Sequence, residues 1–408
     1  MSQKTELTPR GNATSDYLLL ALYIAVAAML IFRIQAEATG YISPDSEKYL
    51  ELAQNIKDGK GVYLYNEESG QETFFSIWPV GYPVLIYIVS AVSSLDIFWS
   101  SKILNLILLG LSFLLLRQIN RKYAFVLAAV YCSYTLLEVY SFTWSEAPFL
   151  PGLLYLCYLA RKILLKDDSY KSVLLLFLTC ICLFLLRYIG AFSFSVPALL
   201  ALYLYYKQRS RTATKLLFIS LLLGVLAALY LYMNYRLSGF TTGFDRLEAE
   251  TEPIGVFVGM MTEGLLNELL IIRKYRAGNQ PDYLFYITTL LQLVTMTIIL
   301  VKVKKHCHLK ELLAQNTFSL VCLATAALYF LAILMLRSFS HFDDLDYRLL
   351  APFSFLFWIA LVHALVFLPD TSKEVVQAKY IAFVFFLISL FINLPKQFML
   401  EQLRILLQ

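Results

Sequence analysis

Residues 17–32, 173–186 and 216–232 contain no charged side chain, and comparable apolar runs recur along almost the whole chain. In hydrocarbon every backbone N–H and C=O must be satisfied within its own segment, so each run reads as a transmembrane helix. Only 15% of the 408 residues are charged and 59% are hydrophobic, whereas a soluble protein is roughly one quarter charged. The chain is therefore expected to be an all-α polytopic membrane protein.

Basic clusters between the runs set its topology. Arg117, Arg121 and Lys122 form one. Arg161, Lys162, Lys166 and Lys171 form the next, followed by Lys207, Arg209, Arg211 and Lys215. Lys302, Lys304, Lys305 and Lys310 come later, then Lys373 and Lys379. Consecutive clusters are separated by two apolar stretches, so all can lie on the cytoplasmic side together. The first span, residues 17–34, is longer than the apolar core of a signal peptide, about 7–15 residues. It reads as an uncleaved anchor with a cytoplasmic N-terminus, despite Ala36-Glu37-Ala38 beyond it. One stretch breaks the pattern. Residues 76–95 and 103–116 both precede the Arg117 cluster, and only one of them can cross. The stretch at 76–95 opens on two prolines and ends in Ser93, Ser94 and Asp96, so it is expected to be a shallow or re-entrant helix. That leaves about eleven spans; a twelfth requires one end of the chain to violate the charge rule.

The whole of 1–408 forms one integral membrane domain on this reading, with no separate soluble domain. An external segment at 35–102 carries a juxtamembrane helix and the re-entrant stretch. A second external loop at 237–282 contains an apolar interfacial helix with a basic anchor at Arg273, Lys274 and Arg276. The net charge of +5 points to no nucleic-acid partner, because the basic residues sit where membrane topology places them. Five of the six cysteines lie in apolar runs and the sixth, Cys307, in a lysine-rich loop, so no disulfide framework is expected. His306-Cys307-His308 lacks a fourth ligand for zinc.

Acidic residues gather on the predicted outer face. In Ile42-Ser43-Pro44-Asp45-Ser46-Glu47-Lys48-Tyr49, Ser43 can cap a helix and Pro44 suits its first turn. Asp45 then sits where the helix dipole favours an anion. Tyr49, Leu52, Ala53 and Ile56 make one apolar face, and Gly59 and Gly61 end the helix. Glu146 opens a later span, Arg187 lies where two spans meet, and Arg348 opens another. Each is a lone charge at an apolar boundary, costly unless solvated, snorkelling or paired. Together on one membrane face, they mark a cavity.

In this order the motifs resemble the GT-C polytopic glycosyltransferases, especially bacterial relatives of protein O-mannosyltransferases and the aminoarabinose lipid A transferase. The resemblance rests on Asp45 and Tyr49 with Gly59-x-Gly61, then Trp78-Pro79-Val80-Gly81-Tyr82-Pro83. Ser145-Glu146, Leu186-Arg187 and Tyr347-Arg348-Leu349-Leu350-Ala351-Pro352 follow. It implies a polyprenyl-phosphate sugar donor, a glycan, lipid or protein acceptor, and an active site open to the outer leaflet of a bacterial inner membrane. Asp45 maps onto the family's catalytic base and Glu146 onto its second acidic position. Arg187 or Arg348 would grip the phosphate. Tyr82 and Tyr188 are further substrate-binding candidates, and His341 and Asp343 would face the acceptor. Trp78 stands where many relatives carry a basic residue. No cofactor is required on this reading, although Asp343, Asp344 and Asp346 offer oxygen ligands to a divalent metal.

Two other functions fit the spans. A transporter or flippase would place ionisable residues in mid-span and break helices in corresponding halves; here Glu138 is the clearest intramembrane charge. A surface-glycan polymerase or ligase would carry a large late external loop rich in Arg and His, which residues 337–348 do not supply.

Overall fold

The computed structural model describes residues 13–66, 70–167, 169–242, 253–275, 283–306, 316–339, 345 and 347–407. The chain opens with α1 (Ala13–Ala36), α2 (Pro44–Lys57), β1 (Tyr63–Asn66), β2 (Gln71–Phe74), α3 (Gly81–Ser93) and α4 (Ile97–Ile119). Next come α5 (Ala124–Ala128), a 3-10 turn (Ala129–Cys132), α6 (Tyr134–Ser141), α7 (Glu146–Leu164) and α8 (Tyr170–Leu186). A second 3-10 stretch (Tyr188–Phe194) leads into α9 (Ser195–Tyr206), α10 (Ser210–Ser238), α11 (Ile254–Leu269) and α12 (Tyr283–Lys304). The last described helices are α13 (Thr317–Phe339), α14 (Tyr347–Phe367), α15 (Lys373–Ile392) and α16 (Lys396–Leu407).

Nine helices among the described residues are long and apolar enough to cross a membrane, or ten if the α5–α6 pair is one bent span. The chain is a multi-pass membrane protein. Two of the eleven stretches expected to cross, 124–141 and 172–186, are not among these nine. Residues 124–141 are broken by 72°, and the Tyr134 N–H at the break bonds Ile271 O at 2.8 Å instead of continuing the helix. α8 has 17 residues and reaches about 25 Å, short of a hydrocarbon core about 30 Å thick. α3, with 13 residues, extends only about 20 Å and is too short to cross.

Burial shows which helices form the centre. Two thirds of the apolar window is buried in α7 and in α14, against 17% in α12 and 22% in α10. α7 and α14 therefore carry the core, together with the wholly buried 124–132 segment, and α10 and α12 turn most of their side chains outward. Apolar side chains facing lipid gain nothing by burial, so the outward faces of the peripheral helices stay as apolar as the core.

Two features depart from the sequence reading. The segment after α2 folds as a short antiparallel hairpin, pairing Tyr63 with Phe74 and Asn66 with Gln71. Leu64 and Phe75 close a small apolar cluster with Leu52 of α2 beneath it. The expected basic anchor after α11 is also different. Lys274 is buried and ion-paired with Glu268, and Ile271 and Ile272 enter the core. A lysine in hydrocarbon is stable only with a partner, and α11 supplies it six residues away. Arg276 lies outside the described residues.

Candidate active site

The local sequence accounts for the start of α2. Ser43 has extended backbone (φ −109°, ψ 167°), and its hydroxyl accepts from the Ser46 N–H at 3.3 Å. Pro44 occupies the first turn with φ already fixed and no N–H to leave unsatisfied. Trp144 Nε1 donates to the same Ser43 hydroxyl at 2.8 Å, which ties the cap to the segment before α7. Asp45 follows in the first turn and is buried. One turn on, the Tyr49 ring meets Tyr82 edge-on at 5.4 Å, and its hydroxyl bonds Ser145 Oγ at 3.2 Å. Burial pushes the Tyr49 phenol up to about 12, against the opposing Ser145 hydrogen bond and nearby guanidiniums. It is a neutral hydrogen-bonding group at physiological pH.

Arg187 terminates α8 in extended conformation (φ −153°, ψ 133°). Its position is fixed by two glycines that admit no side chain. A Cβ on Gly81 would lie 2.4 Å from Leu185 O, and one on Gly190 would lie 2.2 Å from Leu183 O. Both carbonyls belong to the last turn of α8. The Trp-Pro-Val-Gly-Tyr-Pro and Leu-Arg-Tyr-Ile-Gly segments thus clamp the same helix end from two sides.

Arg348, the second residue of α14, completes the site. Its guanidinium lies over the Trp144 ring at 4.8 Å, and Trp144 stacks on Phe142 at 4.0 Å. Arg348 Nη1 reaches Asp45 Oδ2 at 2.5 Å, while its Nε reaches Glu146 Oε1 at 2.8 Å. Arg187 forms an ion pair with the same Glu146 oxygen and bonds Ser145 Oγ at 3.3 Å. Four elements therefore deliver four charges to one point. Glu146 is fully buried, and the two arginine side chains are 12% and 17% exposed. A lone buried charge would be prohibitive, so such a group is stable only as a mutually compensated cluster. Two carboxylates against two guanidiniums leave these four without net charge. Glu146 Oε2 and Arg187 Nε have no hydrogen-bond partner among the described residues. They provide a spare acceptor and a spare donor within the cluster.

The structure brings Asp45, Glu146, Arg187 and Arg348 together. Tyr82 and Tyr188 it places beside them. The Tyr82 hydroxyl bonds Asn105 Oδ1 at 3.1 Å, and the Tyr188 hydroxyl donates to Ser76 O and accepts from Asn234 Nδ2, each at 2.8 Å. Both tyrosines hold the 76–82 segment in place. His341 and Asp343 lie outside the described residues.

Of the neighbouring polar groups, only Glu138 was singled out from the sequence. Arg33 pairs with Glu138 and bonds Ser141 Oγ at 3.2 Å. Lys102, almost fully buried in α4, donates to Ser141 O at 2.8 Å. A single lysine flush with an apolar run was the available signal for Lys102. The cap at Ser43 and the Ser145-Glu146 pair were visible in the sequence, but the bonds that Ser43 makes to Trp144 and Ser145 to Tyr49 were not, because they join distant segments.

Among solved structures, the fold is similar to that of ArnT from Cupriavidus metallidurans bound to undecaprenyl phosphate. The TM-score is 0.51 at 12% identity, over 89% of this chain and 62% of that one. The apo state of the same protein gives a TM-score of 0.48 at 12% identity, over 91% and 63%. This chain thus spans about three fifths of the length of ArnT. No family model and no curated protein matches the sequence. This chain therefore shares the fold of ArnT.

Proposed function

We propose that the protein is an inverting glycosyltransferase that moves a sugar from a polyprenyl-phosphate donor to an acceptor hydroxyl at the outer face of a bacterial inner membrane. One observation carries the reading: in a GT-C fold, a helix-start carboxylate, Asp45, is held by an arginine that also belongs to a second buried ion pair.

The donor phosphate is an anion and competes with Asp45 and Glu146 for the guanidiniums. Guanidinium groups bind phosphate oxygens bidentately and stay charged. As Arg348 turns to the phosphate, Asp45 gives up its ion pair with that guanidinium, and the carboxylate oxygen that held it can take a proton. The acceptor oxygen then attacks the anomeric carbon, the bond from that carbon to the phosphate oxygen breaks, and Asp45 takes the hydroxyl proton. The polyprenyl phosphate leaves as an anion held by Arg187 and Arg348. Attack opposite the leaving group inverts the centre. Glu146 Oε2, with no partner in the cluster, suits a sugar or acceptor hydroxyl. Tyr82 and Tyr188 shape the wall beside the donor, and His341 and Asp343 contribute on the acceptor side.

A second reading, transport of a lipid-linked or anionic solute, draws on the 72° break before α6 and the buried Glu268–Lys274 pair behind it. The two are separated by one experiment. Asp45→Asn should abolish sugar transfer from a polyprenyl-phosphate donor while expression and fold are retained. A variant that still turns over would remove Asp45 as the base, and a wild-type protein that moves the lipid-linked sugar across the bilayer without transferring it would favour transport.

A further inference from the structure

A second polar pocket lies at the end of the bundle away from Asp45. α1 measures the separation. Its first turn places Ser15 Oγ against the carbonyls of Arg121 and Lys122, at 3.0 and 2.8 Å, and its last turn carries Arg33 to Ser141 beside the candidate active site. Its 24 residues span about 36 Å.

The pocket has a volume of about 400 Å³, within the roughly 300–1,000 Å³ typical of small-molecule sites. Lys122, Arg161, Lys379 and Asp370 line it, giving the described lining a net charge of two positive. Asp370 already draws in part of that charge. Its carboxylate accepts from Lys122, from Lys379 Nζ at 2.7 Å and from the Tyr123 hydroxyl at 2.7 Å. Asn316 supplies an independent indication. Its Oδ1 accepts from the Ser319 N–H at 3.0 Å, but its Nδ2, on a residue 1% exposed, has no acceptor among the described residues. A buried amide donor without an acceptor is costly, and here it lines a cavity whose other charged groups are mostly donors. One wall is apolar, formed by Ile119, Phe318 and Phe367.

We propose that this pocket binds a phosphate-bearing anion at the end of the bundle opposite Asp45, with Lys122, Arg161 and the Asn316 amide as donors. Phosphate offers several acceptor oxygens to donors arriving from different elements. The apolar wall accommodates either the glycerol and upper acyl chain of an anionic lipid or the organic part of a soluble phosphate.

The test uses the full chain in phosphatidylcholine nanodiscs. One arm titrates inorganic phosphate; the other measures capture of headgroup-labelled phosphatidylglycerol by fluorescence. Lys122→Gln with Arg161→Gln removes two charged donors and should weaken binding about a hundredfold or more. Asn316→Asp keeps the Oδ1 acceptor and replaces the donor by a negative charge, and should abolish binding. Binding at this pocket should persist in Arg348→Gln, which removes the proposed phosphate grip of the candidate active site and so separates the two sites. Binding of phosphatidylglycerol alone identifies a lipid headgroup, and binding of inorganic phosphate as well identifies a free anion. The proposal is overturned if neither probe binds, or if the folded double variant and Asn316→Asp both bind like wild type.

Discussion

Replacing Glu146 by Gln separates stability from donor binding, because the proposed arrangement predicts opposite signs for the two. In the folded protein one fully buried carboxylate oxygen serves both Arg187 and Arg348. Glutamine keeps the volume and an acceptor oxygen but removes the charge. Arg348 retains Asp45 at 2.5 Å, while Arg187 retains the Ser145 hydroxyl at 3.3 Å. Removing one partner of a buried ion pair costs about 3–5 kcal/mol. With Asp45 still compensating Arg348, the loss should fall at the lower end, about 3 kcal/mol. Titration with SDS in mixed micelles, followed by tryptophan fluorescence, measures it; Trp144 over Arg348 is a local reporter. Donor binding should move the other way. The four charges pass from neutral to one positive, and a unit charge about 5 Å away at an effective dielectric of about 20 contributes about 3 kcal/mol. Polyprenyl phosphate should therefore bind about a hundredfold more tightly to the less stable protein. Weaker binding of polyprenyl phosphate to folded Glu146→Gln would falsify the competition between carboxylate and phosphate. An unchanged unfolding midpoint would show that Glu146 is not the shared anion of the pair.

Four further outcomes follow from the same geometry. Arg187→Gln and Arg348→Gln should each weaken polyprenyl-phosphate binding about tenfold or more, measured by displacement of a fluorescent lipid phosphate; unchanged affinity in both places the phosphate elsewhere. Gly81→Ala should destabilise the protein by about 1–3 kcal/mol through overpacking, since the added methyl meets Leu185 O at 2.4 Å, and should reduce transfer by displacing the end of α8; a fully active, stable variant argues against the clamp. Tyr49→Phe should cost about 1 kcal/mol through its Ser145 hydrogen bond without altering the pH dependence of transfer below pH 9, because the phenol lies at about 12; a shifted profile would give the phenol an acid–base role. Burial alone would raise the Asp370 carboxyl, but hydrogen bonds from Lys122, Lys379 and Tyr123 outweigh it and hold it at about 2 against an ordinary 3.8. Its folded value is the lower one, so its stabilisation is present in full above about pH 4 and is lost as pH falls toward 2. Asp370→Asn should flatten that part of a thermal-stability profile, and an unaltered acid limb would refute the assignment.

The parts of the molecule that were legible in the sequence are those encoded locally. The apolar runs and the basic residues between them gave the helices. Ser43-Pro44-Asp45 gave the start of α2, because a cap, a fixed φ and an anion at a helix N-terminus act over one turn. Glu146, Arg187 and Arg348 stood out because a charge at an apolar boundary is costly wherever the chain goes. Their pairing was not legible in the same way. Arg348 and Glu146 are 202 residues apart, and no local rule joins them. The same holds for the close approach of Gly81 and Gly190 to the end of α8, which depends on how three segments meet. It holds also for the 270–275 segment, where Lys274 read as an interfacial anchor and is instead compensated inside the bundle by Glu268 and its neighbours Ser354 and Thr135.

A cluster with no net charge offers little long-range attraction to an anion, so selection for the donor must operate at close range. A monoanionic phosphate diester arriving with its tail already in lipid needs no steering through water; it needs a place where replacing one anion by another frees a useful group. Arg348 satisfies that requirement because it holds Asp45 and Glu146 together. Transfer of its guanidinium to the phosphate breaks the Asp45–Arg348 ion pair, whereas Glu146 remains paired with Arg187. The base would be released only when the leaving group is bound, which would disfavour proton abstraction in an empty site. On this argument Arg348→Lys is more informative than loss of charge. Lysine keeps the positive charge but cannot span two acceptors with one planar fork. Donor binding should then survive within about tenfold while its coupling to the Asp45 base is lost. That would appear as a larger fall in kcat than in donor affinity. Equal losses in both would show that Arg348 only binds the phosphate.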